Sequence, residues 1–239
     1  MSSGTVWRLE RNDRRIVFAA ADAAGMYADS GTAAVGHHQT PAWKLVLPLR
    51  DDPVEVFTTE RFEAPAVLVP PRAQNANRVA NGYVGIFLDA HLIARHDSPI
   101  VLSSADKRRL LSALAIGTDL DAPPDLGALR DEVVQLHGLG PHPDPRIAAA
   151  LADLDQADTL TDLAHSVGVS APRLRNLVQA QVGVPLATLR RWRRLRSAIT
   201  ALPDGSVADA AAGAGFSDQA HLARTARHMI GRSPSSLLA

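Results

Sequence analysis

Two short stretches near the C-terminus carry residues whose types and spacing could do recognition chemistry. Over 170–179, helical spacing turns Leu174, Leu177 and Val178 to one side and leaves Pro172, Arg173, Arg175, Asn176 and Gln179 on the other. Over 217–227 the outward set is Asp218, Gln219, Ala220, His221, Arg224 and Arg227. Arginine can fork onto the N7 and O6 of guanine, and asparagine can bond adenine in the same way. Each good pair gives about 1–3 kcal/mol of discrimination between bases. A solvated helix face would carry the same residues, so the set matters more than its members.

The elements around these stretches repeat each other. Asp162, Ala164, Gly168 and Ser170 recur 47 positions later as Asp209, Ala211, Gly215 and Ser217, with Val169 matched by Phe216. Thr159-x-x-Asp162 and Ser206-x-x-Asp209 are capping-box patterns that fix a helix start. A small residue then allows two helices to cross closely. A glycine suits the positive φ of a tight turn. An apolar plug and a serine able to cap the next helix follow. Each feature has its mechanical place in a helix-turn-helix, and two copies in tandem argue against a plain helical bundle. Helix starts at Thr159, Ser170, Ser206 and Ser217 would also offer amides to phosphates.

Between the copies, 185–202 reads as one long helix with Leu189, Trp192, Leu195, Ile199 and Leu202 along a stripe and Pro185 in its first turn. Arg190, Arg191, Arg193, Arg194 and Arg196 lie opposite. Such a face either keeps the helix soluble or meets phosphates, and its place between two recognition units favours phosphates.

The 239 residues are electrically neutral as a whole, which hides an asymmetry. Residues 1–145 hold 14 basic and 18 acidic side chains, whereas 146–239 hold 11 arginines and 7 aspartates. A basic half on a neutral chain fits a nucleic-acid partner. With 46% apolar residues the chain can bury real cores, and its length suits two ordinary domains. It contains no cysteine, so disulfides, thiolate chemistry and cysteine-held zinc are excluded. Neither a signal core nor an apolar run of about 18 residues is found. A cytoplasmic location with no membrane partner is therefore expected.

Strands are expected over 43–49, 53–58, 66–69 and 83–88, short apolar runs separated by Asp, Pro, Asn and Gly, as in an antiparallel sandwich or barrel. Helical spacing follows over 105–116, with Ser104 as its cap, and over 126–137. These helices could pair across a dimer or pack on their own domain. Residues 138–145, rich in Gly and Pro, cannot sustain a helix and are expected to be a linker.

At this point the chain resembles the AraC/XylS family of transcription regulators. The likeness rests on Leu160-Thr-Asp-Leu-Ala-His-Ser-Val-Gly-Val-Ser170, on Val182-Gly-Val-Pro185, on Gly215-Phe-Ser-Asp-Gln-Ala-His-Leu-Ala-Arg224 and on Gly231-Arg-Ser-Pro234. It implies a sequence-specific, non-enzymatic binder of double-stranded DNA, with two recognition helices in successive major grooves. The family pattern puts base contacts on Pro172, Arg175 and Asn176 in the first unit and on Gln219, Ala220 and Arg224 in the second. The family usually has Phe where Val178 and Ala226 stand here, which implies more weakly anchored recognition helices.

The first half resembles the cupin-like sensor domain that often precedes such a unit, through Gly36-His-His-Gln39, Trp43-Lys-Leu-Val-Leu-Pro48, Ala66-Val-Leu-Val-Pro-Pro71 and Gly82-Tyr-Val-Gly-Ile-Phe-Leu88. The fold implied is α+β. An antiparallel cupin-like domain (1–100) is followed by a helical segment (101–137), the linker (138–145) and an all-α domain with two helix-turn-helix units (146–239). His37 matches one metal ligand of a cupin, but Gln39, Lys44 and Asn75 stand in the other places, so no metal, cofactor or catalytic residue is expected. A small effector, a second copy of the chain and RNA polymerase are the further partners implied. The alternatives are a metal-dependent cupin-type enzyme, or a regulator that has lost DNA binding and acts through protein contacts.

Overall fold

A computed structural model describes residues 5–11, 13–21 and 24–238. Among the described residues, eleven strands come first: β1 (Thr5–Arg11), β2 (Arg14–Ala21), β3 (Ala24–Asp29), β4 (Ala33–Gln39), β5 (Trp43–Pro48), β6 (Val54–Phe57), β7 (Arg61–Ala64), β8 (Ala66–Val69), β9 (Gln74–Val79), β10 (Tyr83–Leu88) and β11 (Ile100–Leu102). Nine α-helices of the described residues follow: α1 (Ser104–Leu114), α2 (Leu126–His137), α3 (Pro145–Ala152), α4 (Leu160–Ser166), α5 (Ala171–Val182), α6 (Leu186–Thr200), α7 (Val207–Gly213), α8 (Gln219–Ile230) and α9 (Pro234–Leu237).

The strands form two antiparallel sheets, a larger one in the order β1-β2-β3-β10-β5-β8-β11 and a smaller one in the order β4-β9-β6-β7. The two sheets face each other across a shared apolar core and together make an antiparallel barrel. Burial follows the two faces of each sheet. The central strands β3, β5 and β8 are buried at every residue, because one face meets the barrel interior and the other meets α1 and α2. That double burial explains why these strands read as continuous apolar runs. β4 and β6 alternate instead, with one face toward solvent.

Leu110 and Leu114 of α1 and Leu129 and Val133 of α2 join one core with Met26, Leu45 and Ile86. The apolar faces of these helices are thus spent on their own barrel. The cap of α1 is Ser103, not the expected Ser104. Ser103 has extended backbone and its hydroxyl accepts from the Asp106 amide, while Ser104 is already helical. At the Gly/Pro stretch, the Gly140 amide donates to the Leu92 carbonyl and Asp144 caps α3, with Pro145 in the first turn.

The second half contributes two cores of different kinds. Ile147, Leu163, Leu174, Val178 and Val184 gather around the first unit. Trp192, Leu195, Phe216, Leu222, Ala226 and Met229 belong instead to the same core as the barrel residues Phe18, Val46 and Tyr83. The helix α6 spans both, with Leu186 and Leu189 in the first core and Trp192 onward in the second. Val178 and Ala226, the two positions expected to anchor the recognition helices more weakly, are fully buried.

Candidate nucleic-acid interface and effector cavity

The two helix-turn-helix turns are built from the same bonds at the repeat spacing. In the first, Gly168 has φ +71° and donates to the His165 carbonyl, and Val169 donates to Ala164 at 3.0 Å. In the second, Gly215 has φ +72° and donates to Ala212, and Phe216 donates to Ala211 at 2.9 Å. Ala164 and Ala211 are both buried, as a close crossing of helices requires. Both glycines need a conformation that costs other residues about 1–2 kcal/mol.

The helix starts are capped, but not all as expected. Ser170 accepts from the Arg173 amide at the start of α5. Thr159 and Ser206 accept from the Asp162 and Asp209 amides. At α8 the cap is Asp218 rather than Ser217: its carboxylate accepts from the His221 amide at 2.6 Å, and Ser217 donates to Asp218. A carboxylate is the stronger acceptor and complements the helix dipole, so it takes the amide first. It also brings negative charge to that helix end.

Both outward faces are open. Ser170, Pro172, Arg173, Arg175, Asn176 and Gln179 are exposed around α5, and Ser217, Gln219, Ala220, Arg224 and Arg227 around α8, with His221 half-buried. His221 stands edge-on to Phe216.

The arginines of α6 have other work. Arg190 donates to the carbonyls of Ala157 and Asp158, Arg193 pairs with Asp155, and Arg194 donates to the Gly215 carbonyl. Arg196 donates to Ala21 and Ala24 of the barrel at 2.6 and 2.9 Å. Four of the five thus staple the fold, and only Arg191 and Arg194 are exposed enough to meet a phosphate.

Inside the barrel a lysine holds the centre. Lys44 points between the sheets from β5 and donates to His38 Nε2 at 2.9 Å, Asn77 Oδ1 at 2.6 Å and Asn75 Oδ1 at 3.3 Å, all from the opposite sheet. Burial without a carboxylate partner pushes the Lys44 ammonium down to about 7. Burial and the Lys44 charge push the His38 imidazole down to about 2, so it is neutral. Its Nδ1 then donates to the Gly36 carbonyl and its Nε2 accepts from Lys44. The residue at this position is His38, not His37, which is exposed. The register of β4 shifts between Val35 and His38 and turns the second histidine inward. One imidazole, two amides and an ammonium do not fit a divalent ion. Among the described residues no group of three His, Cys, Asp or Glu side chains converges.

Lys44 also faces a cavity of about 40 Å³ at the seam between the barrel and the C-terminal helices. Phe18, Tyr27, Val35, Tyr83 and Phe87 line it from the barrel, and Trp192, Arg196, Ile199, Ile230, Arg232 and Leu237 from the helices. Trp192 meets Phe87 edge-on at 5.4 Å. Such a volume holds a water or two, so a larger guest requires the walls to part. Close by, Asp29 is clamped by Arg14 and lies 3.6 Å from Arg232. Two guanidiniums thus share one carboxylate, and Lys44 has none, so the lining carries surplus positive charge.

Sequence reasoning missed this seam, since it joins residues more than a hundred positions apart. A basic residue inside an apolar strand, Lys44 in Trp43–Pro48, was the one signal pointing to it.

Residues 146–239 match the family model of a helix-turn-helix domain. No curated protein matches the chain. Among solved structures, the chain is similar in fold to ToxT from Vibrio cholerae bound to an unsaturated fatty acid, with a TM-score of 0.55 and 10% identity over 90% of this chain and 94% of that one. It is also similar to ToxT from Vibrio cholerae bound to (E)-4-(8-methylnaphthalen-1-yl)but-3-enoic acid, with a TM-score of 0.58 and 10% identity over 90% and 97% of the two chains.

Proposed function

We propose that the chain is a DNA-binding transcription regulator of the AraC type, a reading supported by the helix-turn-helix model that residues 146–239 match, and that α5 and α8 each read one box of a two-box operator. Pro172, Arg175 and Asn176 face the bases of one box, and Gln219, Ala220 and Arg224 those of the other. Ser170, Arg173, Gln179, Ser217, His221 and Arg227 approach the backbone. The observation that carries this reading is the pair of turns with matching bonds, each followed by a helix whose polar face is open. Phosphate contacts position the protein and base contacts specify the sequence. Replacing Arg173 or Arg227 by Ala should therefore weaken binding to all DNA alike and reduce its salt dependence, as titrations at two salt concentrations would show. Equal affinity of wild type and both variants at every salt concentration would overturn the assignment.

The barrel is a sensor in this reading, and its effector is a small apolar acid taken up at the seam. The apolar walls and the surplus of Lys44 and Arg232 over Asp29 support that chemistry, as does the likeness to a fold that holds acids in ToxT. An enzymatic role has less support, because the Lys44 ammonium fills the point where side chains of both sheets converge. A cytoplasmic regulator acting with RNA polymerase, alone or as a homodimer, suits this assignment. Among the described residues, no helix is long and apolar enough to cross a membrane. Calorimetric titration with decanoate tests the effector: uptake abolished by Lys44→Met supports it, and uptake unchanged by that substitution contradicts it.

A further inference from the structure

We propose that the seam cavity governs the second helix-turn-helix unit and leaves the first independent, with Arg232 as the positioning residue between cavity and recognition helix. The proposal rests on the reading of both units as DNA readers.

The two units are joined to the barrel in different ways. The second shares the barrel's own core, and three kinds of bond cross its seam. Thr40 donates to the Met229 carbonyl at 2.8 Å. Arg196 donates to Ala21 and Ala24. Arg232 reaches Asp29 and donates to the Tyr83 hydroxyl. Gly231, the residue that ends α8, sits so close to β4 that an added Cβ would lie 2.5 Å from the Gly36 carbonyl oxygen. The first unit has a core of its own, to which the barrel contributes Ala90. Arg95 donates to its Ala180 carbonyl, and a narrow cleft lined by Asp89, His91, Leu151 and Arg193 runs beside it.

The cavity therefore has one wall of sheet and one wall of the second unit. To admit more than a water or two, one wall must move. The sheet wall is held by continuous ladders of β3, β10 and β5, and opening it would break several backbone bonds together. The helical wall yields more easily, and it consists of the C-terminal part of α6 with the ends of α8 and α9. Arg232 lies between the cap of α8 and that of α9. It is also the more weakly held partner of Asp29, which Arg14 clamps from within the sheet. An anion in the cavity offers Arg232 another partner, and the end of α8 moves with it. The DNA-reading face of α8 is open already, so the control acts on how the helix is presented and not on whether it is covered.

Two measurements on the full chain test this. In the first, Arg232→Gln is titrated with DNA carrying either box alone, the boxes being those selected by the wild type. Affinity for the second unit's box should change about fivefold or more, the scale of an ordinary coupling. Affinity for the first unit's box should stay within about twofold, as for a neutral surface change. Equal shifts in both boxes, or a shift in the first alone, overturn the proposal. Thr40→Val tests the same seam without touching a charge, should Arg232→Gln fold poorly.

In the second, hydrogen exchange of the wild type needs no DNA. Amides of α8 should exchange in step with those of β3 and β10, and amides of α5 faster and independently. Matched exchange of α5 and α8 overturns the coupling. Failure of the wild type to select any DNA would overturn the DNA-reading account itself, which the exchange result does not depend on.

Discussion

Arg232 and Asp29 come from opposite ends of the chain and lie 3.6 Å apart, with the carboxylate fully buried and also paired with Arg14. Three charges are thereby held at the junction of the barrel and the helix-turn-helix half. Removing one partner of a buried ionic group leaves the others uncompensated, which typically costs about 3–5 kcal/mol. Asp29→Asn should therefore lose stability on that scale in urea unfolding. A loss under about 1 kcal/mol, as at an exposed pair, would show that the two guanidiniums do not depend on Asp29.

Gly231 ends α8 with φ +73° and nearly touches Gly36 across the seam. Gly168 has φ +71° and open space around its Cβ position. Replacement by Ala should cost about 1 kcal/mol at Gly168, from backbone strain alone. It should cost clearly more at Gly231, where the barrel must also be pushed away. Thermal or urea unfolding of the two variants compares them directly, and equal losses would mean that the seam is looser than described.

His38 and Lys44 make stability depend on pH in two separate windows. His38 stays neutral in the fold while the unfolded chain takes up a proton below its ordinary value of 6.5, so stability falls as pH drops from there. Lys44 loses its proton in the fold near 7 and in the unfolded chain near 10.5, so stability rises with pH across that interval. The advantage of wild type over His38→Gln should shrink between pH 7 and 5, and its advantage over Lys44→Met should grow between pH 7 and 10. Urea midpoints at these pH values check both, and differences that do not vary with pH would contradict both.

Much of this was legible in the sequence where local chemistry decides the structure. The strands at 66–69 and 83–88 and the helix at 126–137 fall where their apolar runs end at Pro, Asn-Gly or Gly. The tandem turns followed from Gly168 and Gly215. Other elements depended on distant partners. β3 is Ala-Gly-Met-Tyr-Ala-Asp, with no β-branched run, and is a strand because β2 and β10 bond both its edges. β9 contains Asn75 and Asn77, polar residues that turn inward because Lys44 waits there. Helical spacing showed which side of α6 the arginines occupy, but not that carbonyls of the barrel and of neighbouring turns lie on it. Ser217 yielded its cap to Asp218 because two acceptors stood side by side, a competition that spacing cannot resolve.

The central claim is that the two units read two separate boxes. The most direct test is selection of bound sequences from a random DNA pool with wild type, Arg175→Ala and Arg224→Ala. The account predicts two boxes about one helical turn apart, near 34 Å, with each substitution relaxing one box at a cost of about 1–3 kcal/mol. Enrichment of a single box, or two substitutions that relax the same one, would contradict it.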